Sequence, residues 1–365
     1  MNVMQAGDVA AQDTKLSFRN DYSEGAHPRL LQALAQIGNE QNAGYGLDRH
    51  SELAAGMIRT QIACAGADVH FLVGGTQTNL VAMAAFLRPH EAVIAADSGH
   101  IATHETGAIE ATGHKVLTVP TPDGKLTPAL VQGVLDAHST EHMVRPRLVY
   151  VSNTTEVGTV YSKAELTALR ALCQQHGLYL YLDGARIAAA LAVAGNDLSL
   201  ADVAALTDAF YLGGTKNGAL LGEALVIVHD ALKSDVRFII KQRGAMLAKG
   251  AVIGAQFQAL FRDGLFFDLA THADAQARRL REALVAAGIA FAFDSPSNQL
   301  FPILPTSVVE QLEDKYEFHR WQPHGQGYQV IRLVTSWATS ETAVEAFCKD
   351  LAVLLAPASA TQETH

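Results

Sequence analysis

Seven short runs rich in apolar, β-branched and aromatic residues punctuate the first two-thirds of the chain, at residues 69–73, 92–95, 115–119, 147–152, 178–182, 209–212 and 224–228. Between them apolar positions recur at helical spacing, over 79–87, 101–111, 128–136 and 163–176. Strand and helix in alternation predict an α/β fold, a mostly parallel central sheet with helices on both faces. After about Phe238 the rhythm changes. Two long helical stretches, 249–261 and 265–287, precede strand-like runs near 290–293, 299–303 and 329–334, then a closing helix over 341–355. That order predicts a smaller C-terminal α+β domain. The expected division is a flexible arm at 1–17, a large domain at 18–250, a small domain at 251–356 and a disordered tail at 357–365.

Two of these runs carry chemistry. One ends in Asp183, followed by Gly-Ala-Arg with Arg186; the other leads through a glycine pair and Thr215 to Lys216. In open α/β sheets ligands sit at the carboxyl ends of the strands, so both side chains are expected at that edge. A buried carboxylate beside a lysine suits pyridoxal phosphate. The lysine forms a Schiff base, and the acid keeps the pyridine nitrogen protonated so that the ring accepts electrons. The plain alternative is an acid paired with Arg186 and a solvated lysine.

A phosphate needs an anion cup. Residues 71–79 run from a strand through Gly74 and Gly75 into a helix expected to begin near Thr78. Free backbone N–H groups there can meet an anion, and Thr76 adds a hydroxyl. The segment lacks the ending of a P-loop and the dinucleotide spacing, and a glycine pair often marks only a turn. His100 follows the run at 92–95 on a loop, placed to lay its ring on the cofactor or simply solvated. Arg332 stands inside an apolar strand, where a lone charge is costly unless paired. A substrate carboxylate is one partner; an internal salt bridge is the other.

Composition narrows the choices. With 365 residues, 49% of them hydrophobic, the chain can bury a large core. A net charge of −10 argues against nucleic-acid and anionic-membrane partners. No apolar run approaches the ~18 residues of a membrane span, and the N-terminus shows no secretory h-region. Cys64, Cys173 and Cys348 form neither a disulfide framework nor a zinc pattern. A cytoplasmic location and no metal are expected.

Further short motifs complete the pattern: Arg-Asn-Asp-Tyr-Ser at 19–23, Tyr-Gly at 45–46, Gly-Gly-Thr-Gln-Thr-Asn at 74–79, and His100 with Glu-Thr-Gly at 105–107. Asn-Thr-Thr-Glu-Val-Gly at 153–158, Asp-Gly-Ala-Arg at 183–186, Gly-Thr-Lys-Asn-Gly at 214–218 and Arg-Leu-Val-Thr at 332–335 follow. Together they resemble the low-specificity L-threonine aldolases, within the fold type I, aspartate aminotransferase-like pyridoxal phosphate enzymes, from about Phe18 to Phe347. The resemblance implies that Lys216, His100 and Asp183 are catalytic. It implies that Gly75, Thr76, Gln77, His100, Asp183, Arg186, Thr215, Lys216 and Lys241 hold the cofactor. Ser23, or Asn20 under another alignment, would bind substrate with Arg186 and Arg332. Arg186 would reach the cofactor's phenolic oxygen or the substrate carboxylate. Lys241, Arg243 or Lys249 would complete a neighbouring subunit's phosphate site, which implies a homodimer or a dimer of dimers; a solvated basic turn is the alternative.

Two positions depart from the family. Thr155 stands where many members carry histidine, and the opening differs from the commonest Arg-Ser-Asp-Thr. Both look more like the subgroup that includes phenylserine aldolases. The implied reaction is retro-aldol cleavage of L-threonine, L-allo-threonine or a related L-β-hydroxy-α-amino acid such as phenylserine, giving glycine and an aldehyde. An aminotransferase or a β-eliminating lyase would use the same fold, as would a catalytically silent binding module. Retention of Lys216, Asp183 and Arg332 together argues against the last.

Overall fold

The computed structural model describes residues 15–356; the tail expected at 357–365, and the expected arm up to residue 14, lie outside the described residues. A two-residue strand, β1 (Leu16–Ser17), precedes the central sheet. That sheet is built from β2 (Asp68–Leu72), β3 (Glu91–Ala96), β4 (Val116–Val119), β5 (Arg145–Ser152), β6 (Tyr179–Asp183), β7 (Ala209–Gly213) and β8 (Glu223–Ile227), in the order β2-β8-β7-β6-β5-β3-β4. All neighbours are parallel except β8, which runs antiparallel to both β2 and β7. Every residue of β3, β7 and β8 is buried, as expected where helices cover both faces. The register aligns Ser152 with Asp183, and Glu223 with both Gly213 and Leu72. One edge of the sheet therefore collects a hydroxyl, two carboxylates and the Gly-Gly-Thr-Lys loop.

Local sequence explains the boundaries. Helix Lys163–His176 opens on a capping box, Ser162 with Glu165, and closes on Gly177 at φ 63°, both as spaced in the sequence. The helix after β2 runs Gly75–Phe86, starting earlier than expected: Gly74 is its extended N-cap, so the glycine pair begins the helix instead of forming a separate turn. The helix expected over 101–111 is a correction. Only His100–Thr103 is helical: His104 leaves the helical region at its C-cap, the left-handed backbone of Thr106 (φ 52°) and Gly107 (φ 72°) keeps the helix from resuming, and a 3-10 turn follows at Glu110–Thr112. The strand expected at 290–293 reduces to a single bridge, Phe291 to Pro302.

The C-terminal sheet contains β9 (Gln299–Leu300), β10 (Ile303–Pro305), β12 (His319–Pro323) and β13 (Tyr328–Val334), with β11 (Tyr316–Glu317) pairing apart with β1. Leu280, Leu300, Leu304, Val309, Leu333 and Phe347 form its core. Phe18 reaches into this core from the start of the chain, its N–H donating to Glu317 O at 2.7 Å and its carbonyl accepting from Val334 N–H at 2.8 Å. Burying such a ring contributes about 1.5–3 kcal/mol. Ile253, Phe257 and Leu260 of helix Ala251–Phe261 pack instead into the central-sheet core. The two cores thus interleave along the chain. Each unit also holds one of the two tryptophans: Trp321 packs edge-on to Phe301 (5.1 Å), and Trp337, against the central-sheet core, edge-on to His27 (5.6 Å).

Candidate active site

Asp183 ends β6 and is buried. Tyr150 Oη donates to its Oδ2 at 2.6 Å, Asn79 Nδ2 to the same oxygen at 3.0 Å, and Ala185 N–H to Oδ1 at 3.0 Å. Burial pushes the carboxyl up, but donors from Tyr150, Tyr211 and Asn79 with nearby His100 outweigh it, so Asp183 stays below the usual carboxylate range. The pairing with Arg186 weighed from sequence does not form. Gly184, which follows, has no room for a Cβ against the Tyr211 carbonyl, so the chain after β6 packs directly on β7. Asn79 also donates to Glu105 Oε1 at 2.8 Å, and the same oxygen meets His100 Nδ1 at 2.7 Å. His100 is thereby fixed beside Asp183 through a fully buried carboxylate.

Asp183, Lys216 and Thr215 line an inner cavity of about 290 Å³ together with Gly74, Gly75 and Thr76. No side chain caps the helix that starts at Gly75, and Gly74, Gly75 and Thr76 line the cavity, so its first N–H groups could meet an anion there. A Cβ at Gly75 would sit 3.0 Å from Tyr211 Oη. Gln77 turns back instead, its Oε1 accepting from Val73 N–H at 3.3 Å. Burial, then Arg186, lowers the Lys216 ammonium, against the pull of Asp21, Asp183 and Glu223. Glu223, accepting from Gly214 N–H at 2.9 Å, is pushed up to about 8 by burial.

An outer cavity of about 420 Å³ shares Tyr22, His100, Glu156, Arg186 and Lys216 with the inner one and adds Arg332, His104, His319 and Trp321 from across the cleft. Arg186 is already held in a fork by buried Asp21, Nε to Oδ2 at 2.7 Å and Nη2 to Oδ1 at 3.0 Å, and Asn298 Nδ2 donates to the same Asp21 at 3.1 Å. Arg332 makes one long contact, Nη2 to Arg19 O at 3.5 Å, stands over Trp321 (5.4 Å), and its buried Nε has no partner. The internal salt bridge considered for Arg332 is absent among the described residues. Ser23 is exposed, donates to Asn20 Oδ1 at 2.9 Å and lines neither cavity; its neighbour Tyr22 lines both. Lys241 also lines neither, its Nζ lying 4.6 Å from the Tyr45 ring.

The donor set fits a phosphorylated pyridine aldehyde. It offers a helix N-terminus for phosphate, an ionised carboxylate for a ring nitrogen, a lysine of lowered proton affinity for the carbonyl, and an unsatisfied guanidinium across the cleft. Sequence reasoning passed over Tyr150, Tyr211, Asp21 and Glu223. Pleat alternation was a usable signal for one of them: Tyr150 lies two residues before Ser152 and shares its face.

Comparison with known proteins gives a consistent picture. The family described as Beta-eliminating lyase matches residues 24–304. A low-specificity L-threonine aldolase of Pseudomonas aeruginosa is 30% identical over 347 residues, covering 94% of this chain and 99% of that one. A solved threonine aldolase from Leishmania major is 52% identical with a TM-score of 0.93, covering 93% of this chain and all of that chain. An aspartate aminotransferase from Thermus thermophilus, 18% identical with a TM-score of 0.69 over 93% of this chain and 91% of that one, shares the fold.

Proposed function

This chain belongs to the beta-eliminating lyase family, and on that premise we propose that it is a pyridoxal phosphate-dependent aldolase cleaving L-threonine or L-allo-threonine to glycine and acetaldehyde. The observation that carries this reading is the convergence of Lys216, Asp183 and Arg332 on one cleft. Bound pyridoxal phosphate supplies a carbonyl that captures amines and a ring that takes up the electron pair released at the substrate's Cα.

Lys216 Nζ is the attachment point, and its lowered proton affinity keeps the amine available for it. Asp183, ionised and fully hydrogen-bonded, holds a proton on the ring nitrogen. His100, fixed by Glu105, would help to hold the cofactor in the inner cavity that it lines. Gly75, Thr76 and Gln77 present N–H groups to the phosphate at the uncapped helix end, and Thr215 lines the same cavity beside Lys216. Arg332 orients the substrate carboxylate, with the Asp21-bound Arg186 beside it. Phenylserine is a further candidate substrate. We also propose a cytoplasmic homo-oligomer, a dimer or dimer of dimers, in which Lys241 serves the partner's phosphate site, since it serves none in its own chain.

Purified protein incubated with L-threonine, L-allo-threonine and phenylserine should release glycine and the matching aldehyde, and borohydride should fix the cofactor on Lys216. Ammonia with a keto acid, or a pyridoxamine product, would replace this reading with elimination or transamination.

A further inference from the structure

We propose that Glu156 is the base that removes the substrate's β-hydroxyl proton, a role that rests on the aldolase reading above. Glu156 Oε1 accepts from His100 N–H at 2.9 Å and from Ser152 Oγ at 2.8 Å, while Oε2 has no hydrogen bond to another of the described residues. The side chain lines both cavities and is the only carboxylate among the residues lining the outer one. A carboxylate pinned through one oxygen by two donors, and lining the space beside Lys216, has the form of a general base.

The neighbouring groups are less suited. Thr155 is fully buried, bonded to Thr159 Oγ1 at 2.7 Å, and lines neither cavity. Asp183 has both oxygens engaged. His104 and His319 line the outer cavity, but burial with His100 and Arg332 holds the first below its ordinary range, and burial with Arg332 and Arg19 the second. The charged and titratable groups around Glu156 are Asp183 and Tyr150 from the adjacent strand ends, His100, Arg186, and Tyr161. Burial, then Asp183, pushes its carboxyl up; the Ser152 hydroxyl and His100 oppose this without cancelling it. A carboxylate moved toward neutrality is a stronger base than a free one.

The step balances. Oε2 takes the hydroxyl proton, the β-carbon–oxygen bond becomes the aldehyde C=O, and the Cα–Cβ bond breaks. Its electron pair stays with Cα, which takes up one proton to become the methylene of glycine. One proton leaves the hydroxyl and one arrives at Cα.

The test uses holoenzyme. Glu156→Gln should lower kcat on L-threonine by about 10²–10³-fold. The affinity for glycine, which has no β-hydroxyl, should stay within about twofold by titration of the cofactor's absorbance. The acid limb of the wild-type kcat/KM profile should vanish. Ser152→Ala, which keeps the carboxyl but removes one donor, should move that limb to higher pH. A Gln variant with kcat within about threefold of wild type, or with glycine affinity falling in step with kcat, overturns the proposal. If Glu156→Gln does not fold, the Ser152→Ala profile decides, and an unmoved limb overturns it. Wild type that releases no aldehyde overturns the aldolase reading and this proposal together; an active wild type with an active Gln variant overturns this one alone.

Discussion

Single carboxyl groups in this chain are tuned in opposite directions by what touches them. Asp183 is buried, yet hydrogen bonds from Tyr150, Tyr211 and Asn79 keep it charged. Asp183→Asn preserves most of those contacts while removing the charge, so kcat should fall by about two orders of magnitude or more with the fold intact. Turnover near wild type, with cofactor bound by absorbance, would remove the electron-sink role. Asp274, buried in helix Leu265–Ala286, is pushed up to about 6 by burial, with Arg278 opposing. Its folded carboxyl holds its proton above the unfolded value. Its contribution to stability is therefore fully present below about pH 4 and lost as pH rises through about 6. Asp274→Asn should leave thermal stability unchanged near pH 4 and raise it near pH 8 by about 1–3 kcal/mol. An equal shift at both pH values would refute the linkage. At this scale Asp183 and Lys216 were legible, because each follows a run that announces a strand. Asn79 and Glu223 were not, because they reach the same point from a helix and a strand far apart in sequence.

Elements were legible where local chemistry alone sets their limits. Helix Lys163–His176 has its box and its left-handed glycine in the sequence, and the observed bounds match those expected. Ser162→Ala should cost about 0.5–2 kcal/mol, read as a lower urea midpoint at unchanged slope; no change would mean that packing alone sets the helix start. Where tertiary contacts decide, the pattern misled. The apolar spacing over 101–111 reads as one helix, but Glu105 is drawn onto Asn79 and His100, and the backbone turns at Thr106 and Gly107 to place it. The interruption puts His100 at the sheet edge. The loop at 153–158 likewise brings Glu156 into the cleft while Thr155 is buried behind it.

The two units are stitched together by the beginning of the chain. Phe18 lies in the smaller core, while Asp21, three residues on, holds Arg186 beside the central sheet and accepts from Asn298 of the smaller unit. Nothing in the spacing of residues 16–22 signals this, since its partners are hundreds of positions away. On the proposal that Lys241 acts across subunits, mixing inactive Lys216→Ala and Lys241→Ala chains should restore activity in hybrid assemblies, because the two defects then fall in different sites. Sedimentation of a fully active, cofactor-loaded monomer would refute it.

The placement of one indole in each unit has an optical consequence. Trp337→Phe leaves emission only from Trp321, edge-on to Phe301 beneath Arg332; Trp321→Phe leaves only Trp337 against the central-sheet core. Followed in urea, the two single-emitter proteins should give superimposable transitions if the N-terminal stitch makes the units one cooperative body. An Asp21→Asn change made in both should separate the curves, with the Trp321 signal moving first.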